Sequence, residues 1–166
     1  MRIKGYSESN GNTHTAAEVP NVAAWQYGEA YIRIKQNLIP GFADVVLNWP
    51  ETDMWTSEID WVEDQHDGAN GPWSAFNHCP GNASVNCDSG TGPADATLWH
   101  TAHLVWTSTH VTVYWDGSAT PIMDDVNHSP METMRTILQM EGCSDDFCPT
   151  GAHTTETDID WIRIFV

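Results

Sequence analysis

Three carboxylates stand close together in the stretch Trp55-Thr56-Ser57-Glu58-Ile59-Asp60-Trp61-Val62-Glu63-Asp64. On an extended strand successive side chains point to opposite faces, so Glu58 and Asp60 share one face and Ile59 and Trp61 the other. Strict alternation would put Glu63 on the apolar face, where an unpaired carboxylate is costly. Two arrangements avoid that cost. The strand ends near Val62 and leaves Glu63 in a solvated loop, or a one-residue bulge returns Glu63 to the face of Glu58 and Asp60. In the second, three carboxylates line one wall, and like charges at that spacing drive their pKa values apart. One ionised carboxylate beside one carboxylic acid is the pair that retaining glycoside hydrolysis needs. Spacing alone leaves both arrangements open.

Such a wall has to be carried by strands, and strands are what the rest of the chain offers. Tyr31-Ile32-Arg33-Ile34-Lys35, His110-Val111-Thr112-Val113-Tyr114 and Asp160-Trp161-Ile162-Arg163-Ile164-Phe165-Val166 alternate with period two. The second runs into Trp115-Asp116-Gly117-Ser118, a strong hairpin-turn signal. No stretch sustains a 3.6-residue apolar period, and Pro130 to Gln139 fits a short helix or a buried strand. Many short strands separated by Gly, Pro, Asn and Asp predict a jelly-roll β-sandwich. Polar stretches at 64–75 and 80–97 are expected as loops beside a binding groove. The 166 residues suffice for one domain, 1–166, with no linker or repeat.

Composition narrows the partners. Against 23 acidic residues stand 6 basic ones, a formal net charge of −17. That field repels nucleic acid and anionic lipid and favours neutral or cationic partners. No apolar run reaches the ~20 residues of a membrane helix. Nine tryptophans are many for this length. Most must fill the core, and the rest offer surfaces on which sugar rings stack. The first residues, MRIKGYSESN, lack the apolar region of a signal peptide, in keeping with a processed or re-engineered start. Cys79, Cys87, Cys143 and Cys148 allow three pairings. The sequence-local one, 79–87 with 143–148, is expected, which places the chain in an oxidising compartment.

Taken together, these segments resemble glycoside hydrolase family 16, the laminarinases and related β-glucanases. Residues 58–63 resemble its E-x-D-x-x-E signature in the bulged form. Trp25 to Lys35 resembles the strand YGxxExRxK, and Leu47-Asn48-Trp49-Pro50 the segment LLWP. Trp99 to Gly117 resembles WHTYAxEWTPxxIxFYxDG, and Asp160 to Phe165 the terminal DWVRVY. The segments follow the family's order over residues 25–166. The resemblance implies a concanavalin-A-like jelly roll with a groove across one sheet. It also implies a secreted, monomeric, retaining endo-hydrolase of a β-linked polysaccharide, a β-1,3- or mixed-linked glucan in the first instance.

Carried over by position, Glu58 is similar to the nucleophile and Glu63 to the acid/base, with Asp60 tuning Glu58 from between. Trp49, Trp55, Trp106 and His78 match positions near the groove. Trp73, in Gly71-Pro72-Trp73, has no family equivalent. Trp61, Trp115 and Trp161 are expected in the core. His66, His100 and His103 lack a zinc-ligand spacing. No organic cofactor is implied, but a structural calcium is, with Asp160 as a ligand. The family's usual WPA reads Phe42-Ala43-Asp44 here, and the acid of its EW pair is Val105. Family members carry further N-terminal strands, so missing strands or an exposed sheet edge are expected. A non-catalytic lectin-like domain on the same fold is the alternative function, and it has no use for an acid/base pair.

Overall fold

The computed structural model describes residues 1–18, 23–37, 39–64, 71–143 and 148–166. The described residues form thirteen strands and no helix: β1 (Arg2–Ser7), β2 (Thr13–His14), β3 (Ala17–Glu18), β4 (Gly28–Asn37), β5 (Phe42–Pro50), β6 (Glu58–Asp64), β7 (Trp73–Cys79), β8 (Asn82–Thr91), β9 (His100–Trp106), β10 (Val111–Trp115), β11 (Met123–Asp125), β12 (Met134–Gly142) and β13 (His153–Phe165). They make two antiparallel sheets, ordered β11-β10-β9-β4-β13-β1-β2 and β3-β12-β5-β6-β7-β8. This is the jelly-roll sandwich anticipated from the strand patterning.

Alternation builds the layers. On β4, Ala30, Ile32 and Ile34 are buried while Glu29, Tyr31, Arg33 and Lys35 face out. On β12, Met134, Thr136, Leu138 and Met140 are buried while Arg135, Ile137, Gln139 and Glu141 lie on the outer face. The inward rows meet Trp61, Trp73, Trp106, Phe42 and Leu104 in one core. The turn at Trp115–Ser118 closes as expected, with Asp116 and Gly117 both at positive φ.

Some expectations change. Residues 80–97 are not a continuous loop, because β8 occupies most of that stretch and pairs with β7. Residues 134–142 form a strand, so the strand reading of the Pro130–Gln139 segment holds. At the N-terminal end, β1 lies between β13 and β2 in the seven-stranded sheet. Both sequence-local disulfides are present, Cys79–Cys87 and Cys143–Cys148.

Register shifts on β6, β8 and β13 break the period of two, and those on β6 and β13 redirect the residues of interest. On β6, Val46 pairs with Val62 and Leu47 with Asp60, so Trp61 is the extra residue. Trp61 and Val62 both turn inward and are fully buried, and Glu63 comes back to the face of Glu58 and Asp60. On β13, Ile159 pairs with Ile34 and Trp161 with Arg33, so Asp160 is the extra residue. Trp161 is therefore not a core residue. It lies half-buried on the outer face, with the Arg163 guanidinium 5.0 Å over its ring.

Candidate active site

The outer face of the six-stranded sheet gathers the acidic residues into cross-strand rows. One row reads Gln139, Val45, Glu63, Ser74, and the next Ile137, Leu47, Asp60, Phe76. A third contains Arg135 and Trp49, followed by Glu58 and His78. The β6 bulge makes these rows possible, since without it Glu63 would point into the sandwich. Apolar Val45 and Leu47 form the floor, so the carboxylates sit on a poorly hydrated base.

Hydrogen bonds fix the group. The Trp55 indole N–H donates to Glu58 Oε2 at 2.6 Å. His78 Nδ1 donates to the Ala83 carbonyl at 2.7 Å, and its Nε2 lies 2.8 Å from Asp60 Oδ2 and 3.9 Å from Glu58 Oε2. A carbonyl can only accept, so Nδ1 carries a proton and Nε2 is the nitrogen that answers to Asp60. Asp60 is 4 % exposed and also in hydrogen-bonding contact with Glu58. Glu132 accepts from the Thr56 hydroxyl at 2.7 Å and from Ser57, tying down the approach to β6.

Electrostatics then separates the groups. Burial, and after it the Asp60 charge, pushes Glu58 up to about 7, against the pull of His78 and the Trp55 N–H. Burial pushes Glu63 further, to about 8, with Asp60, Glu58 and Glu141 adding repulsion and His78 relieving part of it. Burial also raises Asp60 despite its bond to His78. For His78, burial works against the charge, but the hydrogen bond and charge of Asp60 outweigh it and carry the imidazole to about 9. His78 is thus a cation at neutral pH and holds Asp60 as its counter-charge. Both glutamates hold a proton more tightly than a free carboxylate, and of the two Glu58 has the added pull of the Trp55 N–H toward its ionised form.

Glu58, Asp60 and His78 also converge closely enough to hold a divalent ion. The same three side chains account for one another without one, as a carboxylate, its tuning acid and a cation.

The remaining site residues divide. Trp49 is half-buried in the row of Glu58, and Trp55 is 51 % exposed with its ring 6.1 Å from His78. Both offer aromatic surface beside the carboxylates. Trp106 does not: it belongs to β9 of the other sheet, is completely buried, and donates its N–H to Ser129 Oγ and the Pro130 carbonyl. Its alternating neighbours Ala102 and Leu104 point the same way, and this inward row outweighs the aromatic's resemblance to a groove position. Trp73 is likewise fully buried, 4.9 Å from Trp115. Asp160 accepts from Arg33 at 2.7 Å on the far face of the other sheet. His100 engages Asp116 and His103 engages Glu29, and His66 lies outside the described residues.

Gln139 and Glu141 were not singled out in the sequence. They reach the site because β12 borders β5, and alternation along Met134–Gly142 was the signal that could have found them. Gln139 donates to Glu141, and a depression of about 460 Å3 opens beside them, next to the row of Glu63.

No family model and no curated protein sequence matches the chain. Solved structures do. The β-glucanase of Bacillus licheniformis superposes with a TM-score of 0.81 at 17% identity, over 100% of this chain and 78% of its own. A prokaryotic β-1,3-1,4-glucanase (lichenase) derived from a mouse hindgut metagenome gives 0.78 at 14% identity, over 98% and 78%. The catalytic domain of an endo-1,3-β-glucanase (laminarinase) from Thermotoga petrophila gives 0.71 at 16%, over 99% and 76%. At these identities the likeness is one of fold, and the chain folds as the jelly-roll β-sandwich seen in these glucanases.

Proposed function

We propose that the protein is a retaining endo-glycoside hydrolase acting on a β-linked polysaccharide, a β-1,3- or mixed-linked glucan. The observation that carries this reading is the β6 bulge, which sets Glu58, Asp60 and Glu63 on one face, where both glutamates hold a proton more tightly than a free carboxylate. Glu58 attacks the anomeric carbon, and the bond to the leaving oxygen breaks as Glu63 delivers its proton to that oxygen. The glycosyl ester on Glu58 is then opened by water, whose proton returns to Glu63. Asp60 and the imidazolium of His78 keep Glu58 oriented. Trp49 and Trp55 present apolar faces to the sugar C–H bonds. The chemistry calls for no organic cofactor. The two disulfides support an extracellular setting, and a monomer suffices because all the named groups come from one chain.

A reducing-sugar assay of the purified protein against laminarin, lichenan, agarose, carrageenan and xyloglucan tests this reading. Release from laminarin or lichenan, abolished in Glu58→Ala, is the expected result. Binding to a glucan without any release of ends would favour the lectin-like alternative and overturn the enzyme.

A further inference from the structure

The face of the molecule turned away from the carboxylates has its own aromatic feature. Tyr31 on β4, His103 on β9 and Tyr114 on β10 are register neighbours on three adjacent strands. Their rings form a ladder. Tyr31 and His103 stack at 3.9 Å with planes 7° apart, and His103 and Tyr114 at 5.5 Å and 26°. Phe165 of β13 extends it edge-on, 6.0 Å from Tyr31, and is 56% exposed. With strands ~4.8 Å apart, four strands give a stripe of roughly 14 Å, the scale of a short oligosaccharide.

The stripe borders a depression of about 450 Å3 lined by Tyr31, Thr101, His103, Val105, Tyr114 and the turn at Gly117. That volume lies within the ~300–1,000 Å3 of small-ligand sites. Behind two of the lining residues stands Glu29, which accepts from the Tyr31 hydroxyl at 2.7 Å and meets His103 Nε2 at 3.1 Å. Thr101 and Tyr114 add hydroxyls, so the depression is not a bare apolar patch.

Charge selects the occupant. The net charge of −17 disfavours an anionic polymer or a second copy of the chain at long range, and at the stripe Arg163, the register neighbour of Tyr31, stands against Glu29 and Asp116. The stripe is also much smaller than the ~800 Å2 per partner of a stable protein interface. A neutral polyhydroxylated chain pays no such electrostatic penalty, packs its C–H groups along the outward edges of the stacked rings and against exposed Phe165, and bonds to hydroxyls and a carboxylate. We infer that this outer face is a second glycan-binding site, for a neutral polysaccharide, on the opposite side of the sandwich from the hydrolytic residues. The inference does not require those residues to be active.

The test uses the full chain with Glu58→Gln, so that substrate is not consumed, compared with the same chain carrying Tyr31→Ala and Tyr114→Ala. Retention is measured by affinity electrophoresis through laminarin and lichenan gels and by depletion onto insoluble curdlan. The double substitution should weaken retention about 5- to 10-fold on at least one of these glucans. In the otherwise wild-type chain it should leave hydrolysis of soluble laminaripentaose unchanged and the melting temperature within about 2 °C. Equal retention of both proteins, or no retention of the parent on any of the three glucans, overturns the inference. So does a concentration-dependent dimer that the double substitution abolishes. Lost retention in a protein that hydrolyses no glucan would uphold this site while removing the proposed enzyme.

Discussion

Two of the bulges, that on β6 and that on β13, do opposite things with similar residues. On β6 the extra residue, Trp61, is tucked inward, and Glu63 joins two acids above an apolar floor. On β13 the extra residue, Asp160, is turned outward, and Trp161 follows it. At the first site burial and like charge raise the carboxylates, with Glu58 at about 7 and Glu63 at about 8. Around the second, the acids have basic partners: Arg33 bonds Asp160, while Arg2 and Lys35 meet Asp158. The Arg2 hydrogen bond holds Asp158 below its ordinary range. Of the chain's 6 basic residues, Arg2, Lys4, Arg33, Lys35 and Arg163 lie on that outer face, which leaves Arg135 for the other. The buried acids thus answer to the imidazole of His78, whereas the outer acids meet exposed guanidinium and ammonium groups.

The comparison is broken most severely at Glu58. Glu58→Ala should lower kcat by about 10^4-fold or more, because the covalent step disappears. Glu63→Ala should keep the first step on substrates with activated leaving groups, and azide should rescue it as a glycosyl azide of retained configuration. An inactive Glu63→Ala without rescue would remove its acid/base role.

A smaller effect should come from Asp60. Asp60→Asn removes a charge that raises Glu58 and also removes the partner of His78. Activity should fall by about 10^2-fold, and the acidic limb of the pH profile should move to lower pH. In the wild type, Glu58 must be ionised and Glu63 protonated, so the optimum should fall between about 7 and 8. An unshifted limb in Asp60→Asn would mean that burial alone sets Glu58.

Stability should sharpen the same contrast. Asp44 is fully buried, and burial first, then the charge of Asp64, holds its pKa well above the ordinary range. A raised acid binds its proton more tightly folded than unfolded, so its contribution weakens as pH rises above the unfolded value near 4. Glu58, Glu63 and His78 have raised values as well and act in the same direction up to about 9. The melting temperature should therefore fall from pH 5 to pH 9. Asp44→Asn, whose amide can donate to Asp64, should stabilise at pH 7 by about 1–2 kcal/mol. A destabilised Asp44→Asn at pH 7 would count against a buried charge there.

On the far face, Arg33→Ala removes a pair whose members are 37% and 49% exposed. It should cost no more than about 1 kcal/mol, as measured by denaturant unfolding. A loss of several kcal/mol would show that the outer pairs hold β13 in place after all.

Much of this was legible in the chain itself. The strands at Tyr31–Lys35, Val111–Tyr114 and the C-terminal stretch follow from alternation, and the turn at Asp116-Gly117 follows from the need for two positive φ angles. The cost of burying Glu63 posed the right choice at β6, and the resemblance to the bulged signature pointed to the answer. Alternation within 161–165 sets Trp161 with Arg163, opposite Ile162 and Ile164, and Asp160 would share the Ile162 face but for the bulge, a signal the core reading of Trp161 passed over. Trp106 shows what alternation cannot see, since its place depends on which sheet β9 joins. Gln139 and Glu141 reach the site only through the pairing of β12 with β5, a contact between segments far apart in sequence. The outer aromatic ladder is another product of register, since Tyr31, His103 and Tyr114 are distant until the sheet closes.

The central claim is that Glu58 and Glu63 work as nucleophile and acid/base on one wall. Proton NMR of the wild-type protein digesting lichenan, recorded before mutarotation, reads this most directly. Retention requires the β-anomer to appear first, with the α-anomer growing in only by mutarotation. Initial release of the α-anomer would mean direct attack by water and would contradict the account.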